Sequence, residues 1–468
     1  MMAAQTQDFD VVVIGGGPGG YVAALRAAQL GLRTALVERE SLGGICLNWG
    51  CIPTKALLHA ADTLRRIRHA GALGITVSAP EVDFGKLVAR SRQVSQRLNR
   101  GVAHLLGKAG VGVFMGTASI PAAGQVRVAG AQGRPQLLRA ARTIVATGAR
   151  ARELPMLPFD GDRVWSYRDA LSARSLPRSL AVVGAGAIGM EFASFYAALG
   201  TEVTVVEAAP RVLPASDEEV SAFVQQAMAR DGVRFLVGAR LQQGQVRADG
   251  VHLTVEQGGA AQQLQAERVL VAVGLAGNVD GLGLERTRVA VEQGLIRVAD
   301  WGATAEPGIH AIGDVTGAPM LAHKASHEAI ACVEHIAGLR QGAQHRAPIP
   351  ACVYGHPQSA GVGLTEAQAR QRGGEVRVGR FPLEGNGKAI AIDEAAGFVK
   401  TVFDAATGEL LGAHLVGPEA TELVHGYTLA ATLETTEAEL METVFPHPTL
   451  SEAMHEAVLA AYGRALHI

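Results

Sequence analysis

Two kinds of apolar pattern alternate along much of this chain. Short unbroken runs, Phe9–Ile14 and Thr34–Val37, read as buried parallel strands. Between them Gly15-Gly16-Gly17-Pro18-Gly19-Gly20 leads into an Ala-rich stretch that predicts a helix to about Leu30. The same order returns at Ser179: a strand over Leu180–Val183, then Gly184-Ala185-Gly186-Ala187-Ile188-Gly189, a helix over Met190–Leu199 and a strand over Val203–Val206. From Val82 to Leu106 apolar residues recur at helical spacing with Arg and Gln on the outer face, which predicts a long amphipathic helix. Further short strands are expected at Val111–Phe114 and Val126–Val128; Thr143–Ala149 reads as a strand ending in a small-residue turn, Val269–Gly274 closes the second unit, and Ile309–Asp314 is another strand-to-turn element. From about Ile349 the character changes. Strands at Ala351–Tyr354, Phe398–Phe403 and Leu410–Val416 precede helices from Ala420 and Ser451, an α+β pattern.

The repeated unit carries chemistry. In each copy Gly-x-Gly-x-x-Gly sits between strand and helix, and an acid, Glu38 or Glu207, ends the second strand. Gly15, Gly17 and Gly20, and again Gly184, Gly186 and Gly189, let backbone approach a pyrophosphate at a helix N-terminus; the carboxylate accepts from ribose hydroxyls. The bland reading of either turn is a tight corner with no ligand. Two such units imply two dinucleotides. Glu207 favours a free 2′-hydroxyl, hence NAD, and Ala208 and Ala209 add no basic cluster; Arg211 alone points the other way.

A second chemical stretch is Gly43-Gly44-Ile45-Cys46-Leu47-Asn48-Trp49-Gly50-Cys51-Ile52-Pro53-Thr54-Lys55, which holds two of only four cysteines. Cys46 and Cys51 at a helix start can close a small ring, and a helix N-terminus lowers the pKa of the sulfur it faces. A redox couple is the favoured reading. A structural staple and a zinc site compete with it, the staple against scarce cysteine and the metal against a lack of soft ligands beyond His59. Cys332 and Cys352 have no motif around them and read as buried, inert thiols. The third stretch is Phe445-Pro446-His447-Pro448-Thr449-Leu450-Ser451-Glu452. Prolines fix the backbone of His447, Ser451 is a candidate helix cap, and Glu452 could orient the imidazole through Nδ1 and leave Nε2 as a base.

Length and charge narrow the class. The chain has 468 residues, enough for two to four domains. Net charge is −2 with no run of one sign, which argues against nucleic acid and against a polybasic membrane surface. No apolar run reaches membrane-spanning length. Met1 to Asp10 lacks Lys and Arg, so no secretory or mitochondrial presequence is visible and a cytoplasmic enzyme is expected.

Gly-Gly-x-Cys-Leu-Asn-x-Gly-Cys-Ile-Pro-x-Lys resembles the active-site signature of the flavin-dependent pyridine nucleotide–disulphide oxidoreductases, and within them the dihydrolipoyl dehydrogenases most closely. Trp49 stands where that family usually has a smaller apolar residue. The resemblance implies an α/β fold of two Rossmann-like dinucleotide-binding domains plus a C-terminal α+β dimerisation domain. Its expected divisions are 1–150 (FAD, first part), 151–275 (NAD), 276–347 (completing the FAD domain) and 348–468 (dimerisation). It implies FAD against Gly15, Gly17, Gly20, Glu38, Lys55, the backbone near Ala118, Thr147, Gly148, Asp314 and the helix start at Ala322. It implies NAD against Gly184, Gly186, Gly189, Glu191, Glu207 and Gly274, with Glu191 pairing with Lys55.

Cys46, Cys51, Lys55, Glu191, His447 and Glu452 are the catalytic residues so implied. Glu191 also reads simply as a first-turn helix charge. The family's histidine comes from the other subunit, so a homodimer is expected. The reaction implied is oxidation of protein-bound dihydrolipoamide through a Cys46–Cys51 disulfide and FAD to NAD⁺. A lipoyl-bearing acyltransferase (E2) or H-protein of a multienzyme complex would be the partner. A glutathione-type reductase, or a docking subunit with incidental redox activity, is the alternative. Leu275-Ala276-Gly277-Asn278 departs from the family's usual two arginines and proline, which puts the hinge or a nucleotide contact in doubt. Gly355-His356-Pro357-Gln358 departs from its Thr-x-Pro-Glu.

Overall fold

Continuous Val, Ile and Leu runs need cover on both faces, and the computed structural model places them in the middle of parallel sheets. The structure describes residues 6–130, 135–344 and 347–468. The first five residues of the N-terminal stretch read above for a presequence lie outside these.

Chain contacts define two units, one of Met1–Ala56, Gly85–Arg152 and Gly274–His345, the other of Leu57–Phe84, Glu153–Val273 and Arg346–Ile468. Residues 57–84, which the sequence reading leaves with the first nucleotide unit, fall in the second. Their reason is polar: Arg65 donates to the carbonyl and hydroxyl of Ser194 at 2.9 and 3.1 Å, and Arg68 to the carbonyl of Ala198 at 2.7 Å.

In the first unit, strand Thr6–Ile14 lies parallel between Thr34–Glu38 and Gln136–Val145. Gly112–Met115 extends one side; Ile309–Ala311 also pairs parallel with Gln136–Val145. A meander of Gln125–Ala129 and Thr117–Ala122 completes seven strands among the described residues; the second of these has no strand signal in the sequence reading. Helix Pro18–Gln29 covers one face through Ala23, Ala24 and Ala27, whose small side chains let it lie close. The long helix expected from Val82 runs Phe84–Lys108.

The second unit repeats the plan. Ser179–Val183 lies parallel between Glu202–Glu207 and Arg268–Val271, with helix Ala187–Ala198 after the glycine turn. Its C-terminal part is an antiparallel sheet in which Leu410–Val416 pairs with Ser359–Gly363 and Phe398–Asp404. Helices Ala420–Thr432 and Glu452–Ala461 pack on this sheet around Phe381, Phe403, Tyr427 and Met454. Gly379 sets the second contact, since a Cβ there would stand 1.9 Å from the carbonyl oxygen of Ala457. Helix Glu452–Ala461 begins after Ser451, but the Ser451 side chain makes no cap bond, contrary to the expected role.

One buried cation ties this unit together. Lys400 is 2% exposed, and its ammonium lies 2.9 Å from Asp217, 2.9 Å from Glu219 and 2.8 Å from Glu366. Arg380 also pairs with Glu219 and Glu366. Burial alone would push Lys400 down, but the three carboxylates more than offset it and leave its pKa raised. The Arg380 hydrogen bond, with help from Lys400 and against burial, holds Glu219 at about 2.

Removing Lys400 leaves a carboxylate, Asp217, buried without its counter-charge. Lys400→Met should cost about 3 kcal/mol, read as a lower melting temperature at pH 7. Carboxylates held low stabilise the fold above the ordinary carboxylate pKa and lose that contribution as pH falls through their folded values. The deficit of the variant should therefore be full above about pH 4.5 and shrink toward about pH 2. A pH-independent deficit would assign the loss to packing instead.

Candidate active site

Each glycine turn is built by its own backbone. In the first, a Cβ on Gly15 (φ +105°) would meet the Ala146 carbonyl at 2.3 Å, and one on Gly20 the Gly15 carbonyl at 1.8 Å. In the second, Gly184 (φ +104°) and Gly189 face the Ala272 and Gly184 carbonyls at 2.4 and 2.0 Å. These outer glycines are demanded by chain packing. The middle ones are not. Gly17 meets only Gly44 Cα at 3.8 Å, and Gly186 meets nothing within 4 Å. The helices that follow have no side-chain cap at Gly17 or Gly186, so their first N–H groups are left to a ligand. Space kept clear above uncapped N–H groups fits a pyrophosphate.

Glu38 and Glu207 do matching work. Glu38 accepts from the Gly16 N–H at 2.7 Å and the Glu40 N–H at 2.7 Å; Glu207 accepts from Ala185 at 2.6 Å and Ala209 at 2.7 Å. Each carboxylate braces its turn against the second strand and keeps acceptor capacity for ribose hydroxyls. The sequence motif signalled the ribose role but not the brace. Arg211, the one residue that argued for a 2′-phosphate, spends its guanidinium on Glu218 at 2.9 Å and the Pro214 carbonyl at 3.3 Å.

The cysteine stretch is laid against the first turn. Gly43 (φ +86°) donates to the Gly16 carbonyl at 2.7 Å, and a Cβ on Gly44 (φ +56°) would stand 2.6 Å from Gly17 Cα. Two helices follow, Gly44–Trp49 and Cys51–His69, so Cys46 lies inside the first and Cys51 opens the second. Asn48 locks the first by donating to the carbonyls of Leu42 and Gly44, both at 2.9 Å, and Asn99 donates to the Leu42 carbonyl at 2.7 Å. Trp49 donates to Glu40 at 3.0 Å and lies under the Arg92 guanidinium, 4.7 Å from the ring centre. None of these partners was visible in the local sequence.

Cys46 and Cys51 are half-buried thiols in hydrogen-bonding contact. The Cys46 pKa is pushed well up, first by that bond, then by burial and the Cys51 charge; Asp314 adds to this and Lys55 opposes it. For Cys46, the contact with Cys51 and burial outweigh the lowering expected from a helix start. Burial also raises Asp314, opposed by Lys324 and reinforced by Glu328. Lys324 and Glu328 form a 2.9 Å pair, and Glu328 accepts from the Gly313 N–H at 2.8 Å.

The remaining residues of the first unit are placed as follows. Ala118 is buried on strand Thr117–Ala122. Ala322 is the first residue of helix Ala322–Ile336, whose start carries no side-chain cap. Thr147 donates to the Asn278 carbonyl at 2.7 Å, Asn278 donates back to the Thr147 carbonyl at 2.9 Å, and its N–H reaches the Gly148 carbonyl at 2.9 Å. Leu275–Gly277 pairs with Ala149–Ala151, and Arg150 donates to the Gly277 carbonyl at 2.9 Å. The unusual Leu275–Asn278 segment is thus tied firmly within its unit, beside Gly274 (φ +108°).

In the second unit, Glu191 is not in a first turn. Helix Ala187–Ala198 starts earlier than expected, so Glu191 lies in its second turn, 5% exposed, and accepts from the Tyr354 N–H at 3.0 Å. His447 Nδ1 lies 2.9 Å from Glu452, whose other oxygen accepts from the Thr449 N–H at 2.8 Å. Asn386 donates to the Thr449 carbonyl at 3.0 Å and holds the loop. Burial opposes ionisation of Glu452, but Thr449 and His447 outweigh it and keep its pKa below the usual carboxylate range. An ionised Glu452 accepts from Nδ1–H, which leaves Nε2 as the proton acceptor, on a side chain 78% exposed. Cys332 is fully buried and pushed up to about 12, an inert thiol. Cys352 is only half-buried, because it lies toward Thr421 rather than in the core.

The chain matches the family model for pyridine nucleotide-disulphide oxidoreductase over residues 9–329 and that family's dimerisation domain over 349–458. It is 52% identical to dihydrolipoyl dehydrogenase of Zymomonas mobilis over 467 residues, covering 98% of this chain and 99% of the relative. It is 47% identical to dihydrolipoyl dehydrogenase of Rhizobium etli, with 98% and 99% covered. Among solved structures it resembles LpdA from Mycobacterium tuberculosis with a TM-score of 0.90 and 28% identity, covering 97% of this chain and 99% of that one. It also resembles the HOCl-induced flavoprotein disulfide reductase RclA from Escherichia coli, with a TM-score of 0.86, 26% identity, and 97% and 99% covered.

The glycine geometry separates fold from ligand. Gly186→Ala should melt like the wild type but bind NAD⁺ about tenfold more weakly in a calorimetric titration, because its methyl enters space the chain leaves clear. Gly189→Ala should lower the melting temperature, because its methyl strikes the Gly184 carbonyl. Unchanged affinity in Gly186→Ala would remove the dinucleotide from that turn.

Proposed function

The chain belongs to the pyridine nucleotide–disulphide oxidoreductase family, in its dihydrolipoyl dehydrogenase branch, and from that premise we propose how its residues divide the reaction. It is an oxidoreductase whose cofactors are FAD and NAD, and its dimerisation domain makes the working unit a homodimer. The observation that carries the assignment is the Cys46–Cys51 contact, within electrostatic reach of Lys55 and Asp314 and laid against a dinucleotide turn through Gly44.

His447 of one subunit serves Cys46 of the other. Its Nε2 takes a proton from a substrate thiol, and Glu452 stabilises the imidazolium through Nδ1. The substrate thiolate attacks Cys46; the Cys46–Cys51 bond breaks and Cys51 leaves as a thiolate beside Lys55. The second substrate thiol attacks the first sulfur, its proton passing to the Cys46 sulfur as the bond to Cys46 breaks. His447 then releases the first proton to solvent. The products are a cyclic substrate disulfide and a reduced cysteine pair that together hold the two electrons. FAD, held by Gly15, Gly17, Gly20, Glu38, Lys55, Thr147, Gly148, Asp314 and backbone at Ala118 and Ala322, supplies the two-electron relay from that pair to NAD⁺. Gly184, Gly186, Gly189, Glu207 and Gly274 bind the NAD, and buried Glu191 steadies the Lys55 charge. Residues 1–150 and 276–347 serve the FAD, 151–275 the NAD, and 348–468 the dimer contact.

The substrate is dihydrolipoamide on a lipoyl-bearing acyltransferase (E2) or H-protein, in the cytoplasm. Among the described residues no helix is long and apolar enough to cross a membrane. Glu207 and the commitment of Arg211 to Glu218 disfavour the NADP-linked, glutathione-type alternative.

Purified enzyme should reduce NAD⁺ with dihydrolipoamide and use NADP⁺ at least about 100-fold less efficiently, since a carboxylate faces the 2′ position. Failure with dihydrolipoamide alongside NADPH-driven reduction of glutathione disulfide would overturn the reading. Cys51→Ser should abolish turnover; retained biological function in that variant would favour a docking subunit. Glu452→Gln should lower kcat about 10–100-fold with little change in KM for NAD⁺, because the amide no longer stabilises an imidazolium. An unchanged kcat would remove Glu452 from the proton transfer.

A further inference from the structure

A cavity of about 380 Å³ lies at the end of the seven-stranded sheet away from the glycine turn. Ala141 and Arg142, on strand Gln136–Val145, and Pro307 and Gly308, ahead of strand Ile309–Ala311, line it with His310, His335 and Ile336. Ile309 and Ala311 belong to the core on one face of the sheet, so His310 points to the other. There it lies under the C-terminal end of helix Ala322–Ile336, where His335 and Ile336 close the cavity.

Three features make this a built site. First, His310 is only 8% exposed, yet its Nδ1 has no hydrogen-bond partner among the described residues. A buried ring nitrogen without a partner is costly, and a ligand in the cavity would relieve it. Second, His335 is pre-oriented: Nδ1 donates to the Arg340 carbonyl at 3.0 Å and the ring stacks on Trp301 at 5.6 Å and 10°. That leaves its Nε2 available. Third, the potential is positive. Arg142 uses one N–H on the Ala141 carbonyl at 2.9 Å and has no carboxylate partner among the described residues. Burial, then Arg142 and His335, press the His310 pKa down to about 4.

The nearby acids do not cancel this charge. Glu334 is spent on Arg26 at 2.7 Å and Arg340 at 2.6 Å, and Glu306 on the Arg288 N–H at 2.9 Å. Nor does the helix present its negative end. Its last carbonyls are turned back onto the chain, Val333 to Ala337, Glu334 to Leu339 and His335 to Gly338. A metal cation is disfavoured by Arg142, and no group of three metal-binding side chains exists among the described residues.

We propose that this cavity is a binding site for a small organic oxyanion, a carboxylate or phosphate group on a short apolar body. Arg142 supplies the fork that such a group accepts in two parallel bonds, and His335 supplies a further donor. Pro307 and Ile336 cover the body. The site lies at the other end of the sheet from the first glycine turn, so it would bind alongside FAD.

The test is calorimetry on the FAD-loaded dimer at low ionic strength, with NAD⁺ saturating so that its turn is filled. The probes are inorganic phosphate and butyrate. One saturable site per chain is expected for at least one of them, weakened at least about tenfold in Arg142→Gln and in His335→Gln. Both variants should keep their flavin and their dihydrolipoamide turnover. Should either of these fail to fold, His310→Phe, which removes the unpartnered ring nitrogen and keeps Arg142, should also weaken binding. No saturable binding of either probe, or binding unchanged in the variants that keep their flavin, overturns the proposal.

Discussion

Bare backbone against bare backbone is the constraint on which the active-site half of this molecule rests. Gly44 lies so close to Gly17 that a single methyl on Gly44 would come within 2.6 Å of its partner's Cα. That approach puts the cysteine segment on the rim of the first glycine turn. Gly43 adds a hydrogen bond to Gly16, and Asn48 and Asn99 fasten the same segment to Leu42. A side chain at Gly44 would lift the sulfurs away from the dinucleotide without touching either of them. The glycines of this stretch therefore belong to the redox chemistry as much as the cysteines do.

The two nucleotide units show how one solution is used twice. In both, the outer glycines are fixed by carbonyl contacts and the middle one is kept open. In both, a carboxylate crosses from the second strand to bind the N–H one residue after the first glycine. A negative charge beside a phosphate site costs affinity for the phosphate. Each carboxylate's charge is already divided between two backbone donors, which tempers that cost.

Local features of the sequence were legible in proportion to their local causes. The glycine turns, the Cys46–Lys55 stretch and the His447–Glu452 pair all depend on residues within a few positions of one another. The strand Thr117–Ala122 escaped because it is short and carries Pro121, although Ala118 and Ile120 alternate with polar residues; it pairs with Gln125–Ala129. The assignment of residues 57–84 escaped because it depends on Arg65 and Arg68 reaching about 130 positions along the chain. The Lys400 network spans a similar distance to Asp217 and Glu219. Glu191 was misplaced within its helix because the helical backbone begins at Ala187, before the third glycine, not after it. Periodicity can announce an element; it cannot announce which distant charge the element will bury.

The cysteine pair shows the same limit in its chemistry. A helix start predicts a lowered thiol pKa, and for an isolated cysteine that argument would stand. For Cys46, the bond to Cys51, burial and the Cys51 charge together oppose ionisation, and Lys55 offsets them only in part. A second negative charge would also face Asp314, itself already pushed toward its neutral form by burial.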